Sequence, residues 1–289
     1  MNDMQNQIIK ALIFDKQVRL YILDNTTLIN EIISLNKQNH RILNTALGKI
    51  VSGISLLSAT MKGEQRLSAT FTVGNPGYRI YADADSHGNI RGYTGQNPLM
   101  VECPESISME EFIGQKATIR MIKGTNMNQF TGITDMPYQN IDDDLSHYFR
   151  QSEQVETLIE TNLDFGNDNS ISYSYGMFAQ LLPGAPRHLL KEVKEKIDTN
   201  SKIFKNLKDM EDIQIEQLLK NYFSDSQVIG QNQVQFSCGC SKEMFYGLLY
   251  SMERKDLLEY IHDNKSIESS CHICGRSYLF SPSEVKLLL

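Results

Sequence analysis

Two cysteine pairs, Cys238-Gly239-Cys240 and Cys271-His272-Ile273-Cys274, constrain this chain more than any other feature of its sequence. Thirty residues, 241–270, separate them, and the only other cysteine is Cys103. Two close thiol pairs on either side of a loop long enough to fold back are the ligand set of a tetrahedral, all-thiolate zinc site. The first pair has one intervening residue where zinc ribbons usually have two, and thiols held that close also form a disulfide readily. A segment as short as 232–289 has a thin core and needs a staple. The expectation is one Zn2+ per chain, with Cys238, Cys240, Cys271 and Cys274 as ligands, supplying folding energy to a small C-terminal domain.

At 289 residues the chain has room for one large domain and a smaller one. A formal net charge of −7, with no cluster of Lys and Arg, opposes a nucleic-acid backbone as the main partner. No apolar run approaches the roughly 20 residues that span a bilayer. The opening Met1-Asn2-Asp3-Met4-Gln5-Asn6 has neither the basic start nor the apolar stretch of a signal peptide. The expected location is cytoplasmic, with no membrane partner, and there thiols stay reduced and clustered cysteines bind metal or do redox chemistry.

Along the chain, residues 1–182 read as a mixed α+β core domain. Residues 17–23 alternate, with Val18, Leu20 and Ile22 on one face, as in a half-buried strand. Over 41–61 the period changes: Leu43, Leu47, Ile50, Ile54, Leu57 and Met61 form one apolar helical stripe, stopped by Lys62-Gly63. Gly48 and Gly53 weaken that helix, so another element should pack close against it. Strand signals follow at 67–73, 78–84, 117–122, 130–134 and 170–182, and Asp142-Asp143-Asp144 opens a helix expected to reach about residue 162. Residues 183–231 read as an amphipathic helical linker. From 187 on it carries eight basic and eight acidic residues around thin stripes such as Val193, Ile197, Leu218 and Phe223. Helices of that kind fold mainly by packing on a neighbour. Residues 232–289 form the zinc-binding domain, with helices after Ser241 and around Leu257, a strand at 278–280, and a capping box at Ser281-Pro282-Ser283-Glu284.

Catalytic chemistry has little to stand on. There is no phosphate-binding loop and no nucleophile elbow. His40, His87, His147, His188 and His262 are scattered, His272 is a bystander beside four thiols, and Cys103 has no partner thiol. Three readings remain open on the residues alone: a permanent zinc knuckle such as a nucleic-acid-binding ribbon, a thiol–disulfide oxidoreductase, and a zinc site that loses its metal when its thiols are oxidised. The oxidoreductase would need a thioredoxin-like βαβ setting, which the helix-flanked cysteines do not offer.

With its C-x-C and C-x-x-C pairs at this separation, the chain resembles the 33-kDa heat-shock protein family of redox-regulated holdase chaperones. Further motifs agree in order and spacing: Gly88-Asn89-Ile90-Arg91-Gly92-Tyr93 before Asn97-Pro98, Asp144-Leu145 and Tyr148 before Gln151-Ser152-Glu153-Gln154, and Ala179-Gln180-Leu181-Leu182-Pro183-Gly184-Ala185. The family often has paired glycines where this chain has Tyr175-Gly176-Met177. The resemblance implies an ATP-independent chaperone, not an enzyme, that is inactive while reduced and zinc-bound. It implies Cys238–Cys240 and Cys271–Cys274 disulfides under oxidative stress, loss of structure in the zinc-binding domain and linker, binding of unfolding client proteins, and a homodimer on activation. Rings of three or four residues restrict an unfolded chain little, so such disulfides would not replace the metal as a staple.

Overall fold

The computed structural model describes residues 6–36, 40–74, 77–95, 106–167, 170–199, 210–271 and 273–289. Strands β1 (Gln7–Ile13), β2 (Val18–Asp24), β8 (Thr157–Phe165), β9 (Ile171–Leu181) and β10 (Gln227–Gln233) make an antiparallel sheet in the order β10-β1-β2-β9-β8. Strands β3 (Arg66–Val73), β4 (Tyr78–Asp85), β5 (Asn89–Gly95), β6 (Thr118–Thr125) and β7 (Asn128–Asp135) make a second. The two-residue β11 (Gln235–Phe236) joins its edge, parallel to β5, giving the order β11-β5-β4-β3-β6-β7.

Helix α2 (Arg41–Ser58) lies between these sheets and touches both, so almost all of it from Leu43 onward is buried. A helix buried all round tolerates neighbours closer than side chains allow only where side chains are missing. A Cβ on Gly48 would fall 2.4 Å from Leu163 Cδ2, and one on Gly53 2.6 Å from Leu145 Cδ1. The close approach expected from those two glycines is there. Helices α1 (Thr26–Asn36) and α3 (Met109–Ile113) flank α2.

The outer face of the five-stranded sheet is covered by α5 (His188–Thr199) and α6 (Asp212–Lys220). Leu189, Val193, Ile197, Ile215, Leu219 and Phe223 pack there against strand residues that include Ile9, Leu20 and Met177. This cover explains one departure from the sequence reading. Strand β2 is not half-buried: Val18, Leu20 and Ile22 face the linker helices while Tyr21 and Leu23 face α2, so both its faces are core.

Two further departures concern element type. The helix opened by the aspartates, α4 (Ile141–Tyr148), gives way to one π-helical turn, Phe149–Glu153, and stops there. Gln154 adopts a left-handed φ of 55°, which ends the helix, and Thr157, Ile159 and Thr161 then alternate inward along β8. Residues 227–231, expected to continue the helical pattern, instead run on with 232 and 233 as strand β10. It is a polar edge strand whose partner β1 lies at the other end of the chain, so local composition gives no signal for it.

The C-terminal segment folds around a core of only five buried apolar residues besides its cysteines: Leu249, Leu257, Ile267, Phe280 and Val285. They come from α7 (Lys242–Tyr250), α8 (Arg254–His262), the hairpin of β12 (Ile267–Ser270) and β13 (Ser277–Phe280), and α9 (Pro282–Lys286). The expected capping box forms: Ser281 Oγ accepts from Glu284 N while Glu284 takes Ser281 N, with Pro282 in the first turn.

Candidate metal centre

Each cysteine pair sits where local backbone geometry turns it toward the other. Cys238 and Cys240 follow β11 and precede the Ser241 N-cap of α7. Gly239 between them has a φ of +68°, a left-handed conformation open to glycine at no steric cost. Cys271 and Cys274 occupy the turn of the β12–β13 hairpin, closed by Gly275 N donating to Cys271 O at 2.8 Å and Cys271 N to Arg276 O at 2.8 Å. The four sulfurs lie within 4.8 Å of one another, although no Cα spacing in the sequence dictates it.

Their separations test the metal. Sγ of Cys238 lies 3.7 Å from Sγ of Cys271, and Sγ of Cys240 3.6 Å from Sγ of Cys274. Zinc–thiolate bonds of about 2.3 Å in a tetrahedron place sulfurs about 3.8 Å apart, whereas a disulfide needs about 2.05 Å. All four thiols are free. Four soft sulfur donors, two pairs of them at tetrahedral separation and all within 4.8 Å, fit a zinc ion. Among the described residues this is the one group of three or more His, Cys, Asp and Glu placed to hold a metal.

Cys271 and Cys274 are buried, and Cys238 and Cys240 partly so. Burial pushes the Cys238 thiol up, and pushes that of Cys274 up strongly, with the neighbouring thiols adding to it. Cys271 goes the other way. Burial would raise it, but the N–H groups of Ile273 and Cys274, with the thiols of Cys238 and Cys274, outweigh burial and lower it. Without a counter-charge four closely spaced thiolates repel one another, so a dication bound there would let them ionise as a set.

Two residues around the sulfurs escaped sequence reasoning in any chemical role. Tyr278 Oη lies 3.0 Å from Cys240 Sγ and donates to Cys240 O, also at 3.0 Å. Arg91 Nη1, from β5, donates to Cys238 O at 3.0 Å. Arg91 stood out only as a mark of resemblance and Tyr278 as the start of a short strand, because nothing local ties a tyrosine 38 positions away, or an arginine 147 away, to a thiol. Cys103 and His272 lie outside the described residues. The aspartate run is the helix start it was read as: Asn140 Oδ1 accepts from Asp142 N and Asp143 N, and Asp142 holds Lys49 at 2.6 Å.

Comparison with known proteins bears on the family and the fold. A family model described as Hsp33 protein matches residues 6–281. The 33 kDa chaperonin of Lachnoclostridium phytofermentans is 30% identical over 292 residues, covering 98% of each chain. That of Bacillus pumilus is 28% identical over 287 residues, covering 97% of each. Among solved structures, the crystal structure of a 33 kDa chaperonin from Thermotoga maritima shares the fold, with a TM-score of 0.74 at 23% identity over 98% of this chain and 97% of that one.

Proposed function

This chain belongs to the Hsp33 family and is a chaperone, and from that premise we propose that it is a redox-regulated, ATP-independent holdase, a binding protein and not an enzyme, switched by Cys238, Cys240, Cys271 and Cys274. The observation that carries this reading is the convergence of four free thiols at zinc-like separations on a domain with five other buried apolar residues. Reduced, the four sulfurs hold Zn2+, which supplies the staple; apparent binding energies at such sites are about 10–16 kcal/mol and act as folding energy. Oxidised, Cys238–Cys240 and Cys271–Cys274 form. Each disulfide arises from two thiolates as one peroxide accepts two electrons and two protons and leaves as two waters. Both crosslinks are then local and the long-range staple is gone.

What unfolds next follows from packing. The domains proposed are a core of 1–182, a linker of 183–231 and a zinc-binding switch of 232–289, and the linker helices owe their order to the sheet beneath them. Lys196 Nζ donates to Tyr222 O at 2.7 Å and lies over the rings of Phe14 and Phe223, and Lys194 pairs with Glu160. If α5 and α6 come away, the sheet face around Ile9, Leu20, Ile22 and Met177 meets water. A bare apolar face of that kind suits unfolding client proteins and a homodimer. We read the protein as cytoplasmic, without nucleic-acid or membrane partners; among the described residues no helix is long and apolar enough to cross a membrane.

The test compares reduced and peroxide-treated protein. Expected are one zinc per reduced chain and none after oxidation, the two local disulfides with Cys103 free, and suppression of client aggregation only after treatment. Reduced protein without zinc, or a disulfide joining one cysteine pair to the other, overturns the switch. Equal holdase activity before and after peroxide removes the regulation while leaving the chaperone.

A further inference from the structure

Residues 88–93, Gly-Asn-Ile-Arg-Gly-Tyr, contribute no ligand atom to the thiol centre, yet the contacts of this strip lead to it. Gly88 has a φ of +77°, and a Cβ there would fall 2.1 Å from Gln233 O. Its carbonyl accepts from Gln235 N at 2.9 Å, and Ile90 O accepts from Ser237 N at 3.0 Å. The chain entering the first cysteine pair is therefore laid along β5. Gly92 O accepts from Asn36 Nδ2 at 3.1 Å, and beside Asn36 the carbonyl of Leu35 lies 2.2 Å from where a Cβ of Gly275 would sit. The second cysteine pair thus rests on the last turn of α1.

Arg91 completes the seat. Its cross-strand partner Asp83 takes Nε at 2.7 Å and fixes the guanidinium, whose Nη1 then reaches the carbonyl of Cys238 at 3.0 Å. A planar guanidinium serves two acceptors at once in a way an ammonium does not. Strand β11 is only two residues long, too short to hold its own place, and Gly239 adds freedom just beyond it. The charge-assisted bond to Cys238 O is what extends the core's grip onto the ligand-bearing backbone.

We propose that Arg91, oriented by Asp83, is a positioning residue of the thiol centre: it seats the first cysteine pair on the core domain and so governs how readily the four sulfurs let go of their metal. This rests on the zinc reading of the site. The test uses the reduced, full-length protein with Arg91→Ala, Arg91→Lys and Asp83→Asn. It measures hydrogen exchange over 235–240 and the rate at which peroxide releases zinc to a chromogenic chelator. For Arg91→Ala both should rise about five-fold, the effect of losing one charge-assisted hydrogen bond at a partly exposed site, with α2 exchange unchanged. Arg91→Lys should recover part of the loss, and Asp83→Asn should fall between wild type and Arg91→Ala. Unchanged exchange and release in Arg91→Ala overturn the proposal. Faster exchange with unchanged release also overturns it, since the seat then does not govern the thiols. If Arg91→Ala disturbs α2, the two milder variants decide by the same readouts. If reduced wild type holds no zinc, the metal reading fails, and local exchange alone decides the seat.

Discussion

Single residues at the β4–β5 turn shape the strip against which the first cysteine pair lies. Asp85 accepts from His87 N at 2.9 Å, Asn89 N at 3.1 Å and Asn89 Nδ2 at 2.9 Å, which shapes the turn that presents 88–93. Burial would raise its carboxyl, but the bonds from Asn89 and His87 outweigh that and hold it below its ordinary 3.8. For a depressed carboxyl the stabilisation is full above that ordinary value and disappears as the pH falls through the lower, folded-state one. Asp85 should therefore titrate below 3.8 in a carbon NMR titration. Asp85→Ala should cost about 1–2 kcal/mol at neutral pH and less once the wild-type carboxyl is protonated. A midpoint at or above the ordinary value would remove this account. At the same scale the sequence was uneven. Cysteines announce themselves by type and spacing, whereas Arg91 and Tyr278 act through a carbonyl and a sulfur that only folding brings near.

Among elements, α5 is the one whose placement has the largest consequence. Val193 and Ile197 of its thin stripe were visible by period, and both are buried; the third residue it buries, Leu189, was not read from the sequence. What they bury against was not visible, since Val18, Leu20 and Ile22 read equally well as one face of a strand open to water. Val193 has no exposed surface, so Val193→Asp places an unpaired carboxylate against the sheet. The expected outcome is loss of α5 protection in hydrogen exchange by at least about ten-fold, and holdase activity in the reduced, zinc-loaded protein. Reduced Val193→Asp with an unprotected α5 and no activity would show that uncovering this sheet face is not what creates the client site. Strands β8 and β10 mark the opposite limit. The first was hidden behind a helix whose stop is a single left-handed Gln154, and the second has Gln, Asn and Gly where a strand usually has β-branched residues.

Across the whole molecule the stabilising interactions are unevenly distributed. Two sheets enclose almost all of α2 from Leu43 onward, while the C-terminal segment relies on five apolar residues and four sulfurs. Removing the metal from reduced protein with a strong chelator should therefore unfold 241–289 first and leave α2 and both main sheets protected. Because 227–240 runs unbroken from β10 through Val234 and β11 to Cys238 and Cys240, loosening should reach β10 and α6 before it reaches α2. Hydrogen exchange during chelation checks the order. A single cooperative loss of protection in both parts would mean that they are one folding unit.

The sequence by itself determined the four-cysteine set, the long apolar helix with two close-packing glycines within it, the thin-striped linker and the capped last helix. Each is encoded by residue type or by a period within one or two turns of chain. The tertiary structure alone decided that the sulfurs converge to within 4.8 Å, that the linker covers the outer face of a sheet, and that β5 and α1 carry the cysteine pairs. These are contacts between residues tens to hundreds of positions apart. Their free energy comes from surfaces that exist only once both partners have folded, and for that reason no local pattern records them.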